Sequence, residues 1–444
     1  MLIAVWGVLI AITGLAVAVQ RAASGPSLLA YTSVRASQDI MITWPGKHTP
    51  SVLAAGPYDE SSAAWPPVCG DGCWIAYVRL HYTSWSAPFE LITTRPNGTA
   101  STNLTPVSAE LVSWAWSPDG RTLAADFRTG SSTEIFLFSV DGRQRQNLSD
   151  HPAYDFGPIW SPDGQQIAFR SFRGGEANNQ GKLFVATLDA ALHVTDLRQI
   201  TDPETADQIA GWSPDGAWLL FSSAVRYAEA ELEPDVFIAR ADGSLTRQLT
   251  THPAPDTNPA WSPDGQRILF ESLRDGEPEL YTIRPDGSGL INVSDNPKPD
   301  TNAAWSPDGQ WIVYQTERDP TINLTIVRPD GTDRRALTTH PAADFNPIWS
   351  PDGRWIAFES LRAGNRDLFA IRPDGSGLTQ LTTYPGVDSS PAWSPPLARS
   401  FRLWVALVAV LIMMALAAAW KSVSCYDAAN DNHACGGDPD AYFR

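Results

Sequence analysis

Asn258-Pro-Ala-Trp-Ser-Pro-Asp-Gly-Gln-Arg-Ile-Leu-Phe-Glu-Ser272 is the stretch from which the fold follows. Asn258 to Ser262 reads as a short apolar strand. Pro263-Asp264-Gly265 is a tight turn, in which Pro pre-sets φ and Gly supplies a left-handed position. Arg267 to Ser272 is a second strand rich in β-formers. Further on, Glu279 to Arg284 alternates polar and apolar residues as a half-buried strand does. Pro285 to Gly289 is a second hairpin turn, and Leu290 to Ser294 closes the unit. We letter these four strands A to D. The Trp-Ser-Pro-Asp-Gly core recurs from Trp116, Trp160, Trp212, Trp261, Trp305 and Trp349, and a truncated copy starts at Trp393. The intervals of 44, 52, 49, 44, 44 and 44 residues describe an array of one four-stranded unit, the signature of a β-propeller blade. One such sheet cannot bury both of its faces alone, whereas blades stacked around an axis can.

The number of blades follows from two lists. Strand B occurs eight times, beginning at Leu29, Ile75, Leu123, Ile167, Leu219, Ile268, Ile312 and Ile356. Strand A also occurs eight times, if the degenerate stretch around Trp65 is counted. The lists are out of phase: the array begins with a strand B that has no strand A and ends with Pro391-Ala-Trp-Ser394, which has no strand B. Pairing the last strand with the first blade closes the ring and removes its open edges. The expected fold class is therefore all-β, an eight-bladed β-propeller closed by N- and C-terminal strands in one blade. Seven blades is the alternative if the Trp65 unit is malformed.

The Trp-Ser-Pro-Asp-Gly turn, the Ile-Ala-Phe-x-Ser strand after it, the hairpin Pro373 to Gly377 and the closing Gln380-Leu-Thr382 recur in order and in register. Together they resemble the WD40-like repeat of TolB-type β-propellers, from Leu29 to Trp393. The resemblance implies a bacterial extracytoplasmic propeller that works as a binding scaffold, with partners docking on a face of the ring. The chain differs from the soluble periplasmic type in lacking a separate α/β domain ahead of the propeller and in having more blades and a C-terminal apolar span.

Composition agrees with such an architecture. Among 444 residues there are 18 Trp, 32 Gly and 36 Pro, which supply turn chemistry and large aromatic bodies to fill the gaps between sheets. A net charge of −17 argues against nucleic acid as a partner, because such binding needs a basic face. Cys69 and Cys73 flank the position of a Pro-Asp-Gly turn, where two residues can face each other at disulfide distance. A bond there would point to an oxidising compartment; two reduced core cysteines are the alternative. Cys425 and Cys435 fall in a polar tail.

Two apolar stretches flank the array. Leu2 to Val19 carries no charge and is long enough for a membrane-crossing helix. A secretory signal is the alternative, although no Lys or Arg precedes the run. Leu403 to Trp420 is likewise uncharged, with Trp404 and Trp420 near its ends. The expected organisation is thus a transmembrane helix or signal anchor over 1–20, a linker over 21–28 and the propeller over 29–395. A linker over 396–402, a transmembrane helix over 403–420 and a polar tail over 421–444 follow. A ring closed in one blade would hang from the membrane by two adjacent helices. The count of Arg and Lys beside the spans favours a cytoplasmic ring, while the possible disulfide and the signal-like start favour an extracytoplasmic one, which is the expectation adopted.

Motifs with chemical potential are few. His151, His252 and His340 each open a His-Pro-Ala-x-Asp segment before strand A, but Tyr384 and Asn296 stand at the equivalent places, which marks the segment as turn architecture. Prolyl-oligopeptidase-type propellers resemble this one and carry an α/β-hydrolase domain, whose Gly-x-Ser-x-Gly elbow these 444 residues lack. The nearest string, Gly211-Trp-Ser-Pro-Asp215, is a blade turn. The recurring Asp119, Asp163, Asp215, Asp264, Asp308 and Asp352 lack the dense ligand spacing of a calcium loop. No cofactor, metal or catalytic residue is expected, and the chain is read as not an enzyme.

Binding should reside where the units differ, on loops held by a rigid scaffold. Extra length falls mainly on the B–C side, over 81–88, 172–182 and 226–234, and these loops carry Tyr82, Trp85, Tyr227, Glu229, Glu231 and Glu233. An Arg follows strand B in many units (Arg35, Arg128, Arg173, Arg274, Arg318 and Arg362) and forms a possible guanidinium ring on the same face. The expected function is a membrane-tethered, non-enzymatic scaffold for a protein partner on the B–C face, in the cell envelope. A sugar- or peptide-binding sensor using the funnel and a propeller lyase or hydrolase are the alternatives.

Overall fold

The computed structural model describes residues 27–34, 38–45, 50–55, 58–69, 73–80, 89–106, 109–130, 132–173, 181–201, 205–225, 233–318 and 321–395. These residues form eight four-stranded antiparallel sheets. Blades 2 to 8 occupy 59–103, 110–147, 155–199, 205–248, 256–292, 300–336 and 344–380, each running from strand A to strand D along the chain. Blade 1 is composite. Its strand A is Val387–Trp393, which pairs with the first strand, Leu29–Val34, and Gln38–Thr43 and Ser51–Ala54 follow as C and D. The register sets Leu29 opposite Trp393, Ala30 opposite Ala392 and Ser33 opposite Asp388. The Trp65 unit is complete, with strands Asp59–Ala64, Ile75–Leu80, Phe89–Thr94 and Thr102–Asn103.

One part of the expected fold class is corrected. The eight-bladed all-β ring is present, but the described residues contain no helix, and so none long and apolar enough to cross a membrane. The pair of flanking transmembrane helices is therefore unsupported. The stretches 1–20 and 403–420 to which they were assigned, with the polar tail, lie outside the described residues.

The core is divided into eight parts, one between each pair of neighbouring blades. Leu220, Val236, Ile238, Leu249, Ile268, Phe270, Tyr281 and Ile283 fill the junction of blades 5 and 6. Leu29, Tyr31, Met41, Leu368, Ala370, Leu381 and Trp393 fill the junction that closes the ring. A blade is thus covered on both faces, so its middle strands read as nearly continuous apolar runs. Glu279–Ile283 is buried at all five positions and is not the half-buried strand its alternation predicts. Burying a side chain such as Phe270, with no exposed surface, contributes about 1.5–3 kcal/mol.

The repeated turn shows why each residue of the motif is needed. Ser262 Oγ donates to Asp264 Oδ1 at 2.6 Å and accepts from the Arg267 amide at 2.9 Å, while Asp264 Oδ1 accepts from the Gln266 amide at 3.0 Å. Gly265 adopts φ +69°, where a side chain would be strained, and it faces Pro214 of the preceding blade. In blade 5, hydrogen bonds from the Ser213 hydroxyl and the Ala217 amide hold Asp215 below the usual carboxylate range. The Trp joins blades. The indole N–H of Trp116, Trp212, Trp305, Trp349 and Trp393 donates to Ala64, Ile159, Ala260, Ala304 and Ile348 carbonyls of the preceding blade, at 3.1–3.4 Å. Trp116, Trp160, Trp212 and Trp393 are buried, whereas Trp261, Trp305 and Trp349 are partly exposed.

Candidate interaction surface

Antiparallel strands reverse at each turn, so the B–C and D–A connections share one face of the ring. On that face the structure ties the described members of the guanidinium ring to acids of their own blades. Arg173 Nη2 lies 2.7 Å from Asp155 Oδ2, Arg274 Nη2 lies 3.0 Å from each oxygen of Asp256, and Arg362 Nη2 lies 2.5 Å from Asp344 Oδ2. The acids are fully buried, and the three Arg side chains are 12%, 12% and 11% exposed. Each acid opens strand A and each Arg follows strand B, so the pair fastens the two strand ends together. Each guanidinium also covers a pair of rings: Phe169 and Phe184, Phe270 and Tyr281, or Phe358 and Phe369. Cation–π attraction adds to the ion pair in each case.

The other blades vary this arrangement. Arg128 pairs with Glu110 at 3.3 Å, both exposed. In blade 2, Arg79 lies 3.3 Å from the buried Glu60, whose pKa is raised because burial outweighs the nearby positive charge. Arg35 and the side chain of Arg318 lie outside the described residues, as do Tyr82, Trp85, Tyr227, Glu229 and Glu231. Glu233 is exposed just ahead of the strand Asp235–Arg240.

The histidines belong to the D–A turns. Nδ1 of His151, His252 and His340 accepts the backbone N–H of Ala153, Ala254 and Ala342, at 3.1, 3.1 and 3.0 Å. Asn296 takes this place in blade 7, donating to Asp300 Oδ1 at 3.3 Å and Thr316 Oγ1 at 2.9 Å. Each imidazole therefore works as a turn acceptor with one ring nitrogen already engaged. Among the described residues no group of three or more His, Cys, Asp or Glu is placed to hold a metal ion. Cys69 and Cys73 are disulfide-bonded, with Cα atoms 4.9 Å apart.

Strands A of most neighbouring blades touch one another, which places them on the inner wall. Sequence reasoning missed a feature of that wall. Asn258, Asn302, Asn346 and Ser390 stand three residues before Trp261, Trp305, Trp349 and Trp393, with φ of +52°, +52°, +54° and +51°. Asn tolerates this left-handed conformation better than most residues. The bulge turns the backbone N–H toward the preceding blade: Asn302 donates to Glu271 at 3.0 Å, Asn346 to Gln315 at 2.8 Å and Ser390 to Glu359 at 3.1 Å. Gly157 donates likewise to Asp126 at 3.3 Å, an acid whose pKa burial raises. The four side chains themselves are exposed and give the wall a rim of amides and a hydroxyl. The available signal was the return of Asn, Gly or Ser three places before six of the seven repeat Trp residues, Trp212 with Ile209 being the exception.

Eight four-stranded blades stacked in a closed ring define the molecule as a β-propeller. The chain belongs to the TolB beta propeller domain family, whose model matches residues 72–228 and 225–397. Among curated proteins it is 28% identical over 153 residues to the uncharacterized peptidase YuxL of Bacillus subtilis, covering 28% of this chain and 23% of that protein. It is 29% identical over 102 residues to the Tol-Pal system protein TolB of Alcanivorax borkumensis, covering 23% of each. Among solved structures, a puromycin-hydrolyzing peptidase of Mycobacterium tuberculosis aligns with a TM-score of 0.52 at 14% identity, covering 75% of this chain and 58% of that one. The matched segments are thus about a quarter of the two curated relatives, and the structural likeness is one of fold.

Proposed function

We propose that this propeller is a non-enzymatic scaffold that docks a protein partner on its B–C face in the cell envelope. The observation that carries the reading is the uneven length of the B–C connections. Eight residues separate Ile75–Leu80 from Phe89–Thr94, ten separate Gln166–Ser171 from Lys182–Leu188, and nine separate Trp218–Val225 from Asp235–Arg240. The other five blades use two to six. The long loops hold Tyr82, Trp85 and Tyr227, residue types that anchor interfaces, and the acidic Glu229, Glu231 and Glu233. Beside two of these loops, Arg79 and Arg173 are paired with Glu60 and Asp155 of their own blades. Family membership supports the scaffold class, and the Cys69–Cys73 bond supports an oxidising compartment.

The test is affinity capture from envelope extract with the intact chain and with a variant in which 81–88, 174–180 and 226–232 are replaced by short turns. The proposal expects the captured partner to be lost with the loops; equal recovery would remove this face from consideration. A second reading, a propeller in the service of peptide hydrolysis, is favoured by the match to YuxL, which is named a peptidase. Turnover of peptidyl nitroanilides by the purified chain would replace the scaffold reading, which expects none.

A further inference from the structure

On the face of the A–B and C–D turns, four blades share a pairing that blade 6 alters. In blades 2, 5, 7 and 8 the Arg that opens the C–D turn lies over a Trp that leads into strand B. Arg95 is 4.1 Å from the ring centre of Trp74, Arg240 is 4.8 Å from Trp218, Arg328 is 3.9 Å from Trp311 and Arg372 is 5.2 Å from Trp355. Blade 6 keeps the turn residue, Arg284, but has Arg267 where the Trp platform belongs. Arg267 Nη1 donates to the Thr282 hydroxyl at 3.0 Å and the Gly289 carbonyl at 3.2 Å. Arg284 Nη1 reaches the Ser288 hydroxyl at 3.4 Å. All three acceptors are neutral, so two like charges face each other with no carboxylate closing on either among the described residues. Burial, and after it the charge of Arg284, lowers the pKa of Arg267.

Both residues line a cleft of about 490 Å³ between the turns of blades 6 and 7. Arg328 also lines it, but its guanidinium is stacked on Trp311 and lies 3.5 Å from Asp333. Two acids share the lining, and the charge of Asp330 acts on Arg267 through space, as that of Asp286 in the C–D turn acts on Arg284; their hydrogen bonds are made within their own turns. Asp264 accepts from Ser262 and the Gln266 amide, and Asp330 accepts from the amide and hydroxyl of Thr332. In a chain of net charge −17, Arg267 and Arg284 are two cations brought together with only neutral hydrogen-bond acceptors in contact.

We propose that this cleft binds a small ligand carrying two oxyanion groups, gripped by Arg267 and Arg284. The guanidinium fork matches carboxylate and phosphate oxygens bidentately, so a polycarboxylate and a pyrophosphate present the same chemistry. The cleft lies on the face opposite the B–C loops, and the inference stands apart from the docking proposed there.

Isothermal titration of the full chain with pyrophosphate, and separately with citrate, at low ionic strength is the test. Arg267→Trp rebuilds the platform that blades 2, 5, 7 and 8 use, so it keeps the turn packed while removing the site. Arg284→Gln removes the second cation without changing the platform, and Arg372→Gln is the control on blade 8. At least one anion is expected to bind at one site per chain, at least tenfold more weakly in Arg267→Trp and Arg284→Gln, and unchanged in Arg372→Gln. Binding of pyrophosphate alone assigns a phosphate source, and binding of citrate alone a carboxylate source. Binding of neither anion, or binding unaltered in Arg267→Trp and Arg284→Gln, overturns the proposal.

Discussion

At Arg274 the guanidinium closes on both oxygens of the fully buried Asp256 while its plane lies over Phe270 and Tyr281. A buried ion pair is weak evidence for net stability, but losing one partner leaves an uncompensated charge in a medium that cannot solvate it. Arg274→Ala is expected to lower the unfolding free energy by about 3–5 kcal/mol, read from urea denaturation. Arg274→Met combined with Asp256→Leu is expected to recover most of the loss. A single variant within about 0.5 kcal/mol of the parent chain would show that the pair carries no structural load. The sequence made Arg173, Arg274 and Arg362 visible as a recurring set but not their use. Each partner acid stands eighteen positions earlier, and only the pairing of strand A with strand B brings them together. Asn258 was hidden for a different reason, since a left-handed residue inside a strand leaves no break in the apolar pattern.

At the scale of the strand and the blade, the Trp-Ser-Pro-Asp-Gly unit announced itself because turn chemistry and β-formers repeat at fixed spacing. Burial was harder to read. Glu279–Ile283 alternates in sequence yet is buried throughout, because a second blade covers the face that a lone sheet would give to water. Trp305 illustrates the joint between blades: its ring packs with the residues filling the junction of blades 6 and 7, and its N–H donates to the Ala260 carbonyl at 3.4 Å. Trp305→Ala is expected to cost about 3–5 kcal/mol and to open blades 6 and 7 to limited proteolysis. Unchanged protease resistance would count against the Trp as a joint between blades.

At the scale of the whole ring, closure was readable from Leu29 and Trp393, whose strands were left without partners by any linear count. The membrane helices expected of the apolar flanks find no support among the described residues, and an uncharged run of spanning length is compatible with a membrane helix without requiring one. Closure also sets two carboxylates near each other across the seam. Asp367, almost wholly buried, accepts from Thr382 and Gln380 at 3.2 Å, and burial, reinforced by the charge of Asp388, pushes its pKa up to about 6. Between pH 4 and 6 the folded chain therefore holds a proton that the unfolded chain has shed. The contribution of this group is largest in acid and falls as pH rises through that window. Asp367→Asn is expected to raise the melting temperature at pH 7.5 relative to the parent, with the difference shrinking toward pH 4. A variant less stable at pH 7.5, with an unchanged pH slope, would place the strain elsewhere.

The claim on which the rest depends is that Val387–Trp393 completes the sheet begun by Leu29–Val34. Ala30 and Ala392 stand opposite each other in that register, so replacing both with Cys and oxidising the folded chain tests it directly by peptide mass spectrometry. The account predicts a disulfide-linked peptide joining positions 30 and 392 in high yield. Failure of the two to cross-link in a folded chain, or cross-linking of position 392 to a cysteine placed in another blade, would contradict it.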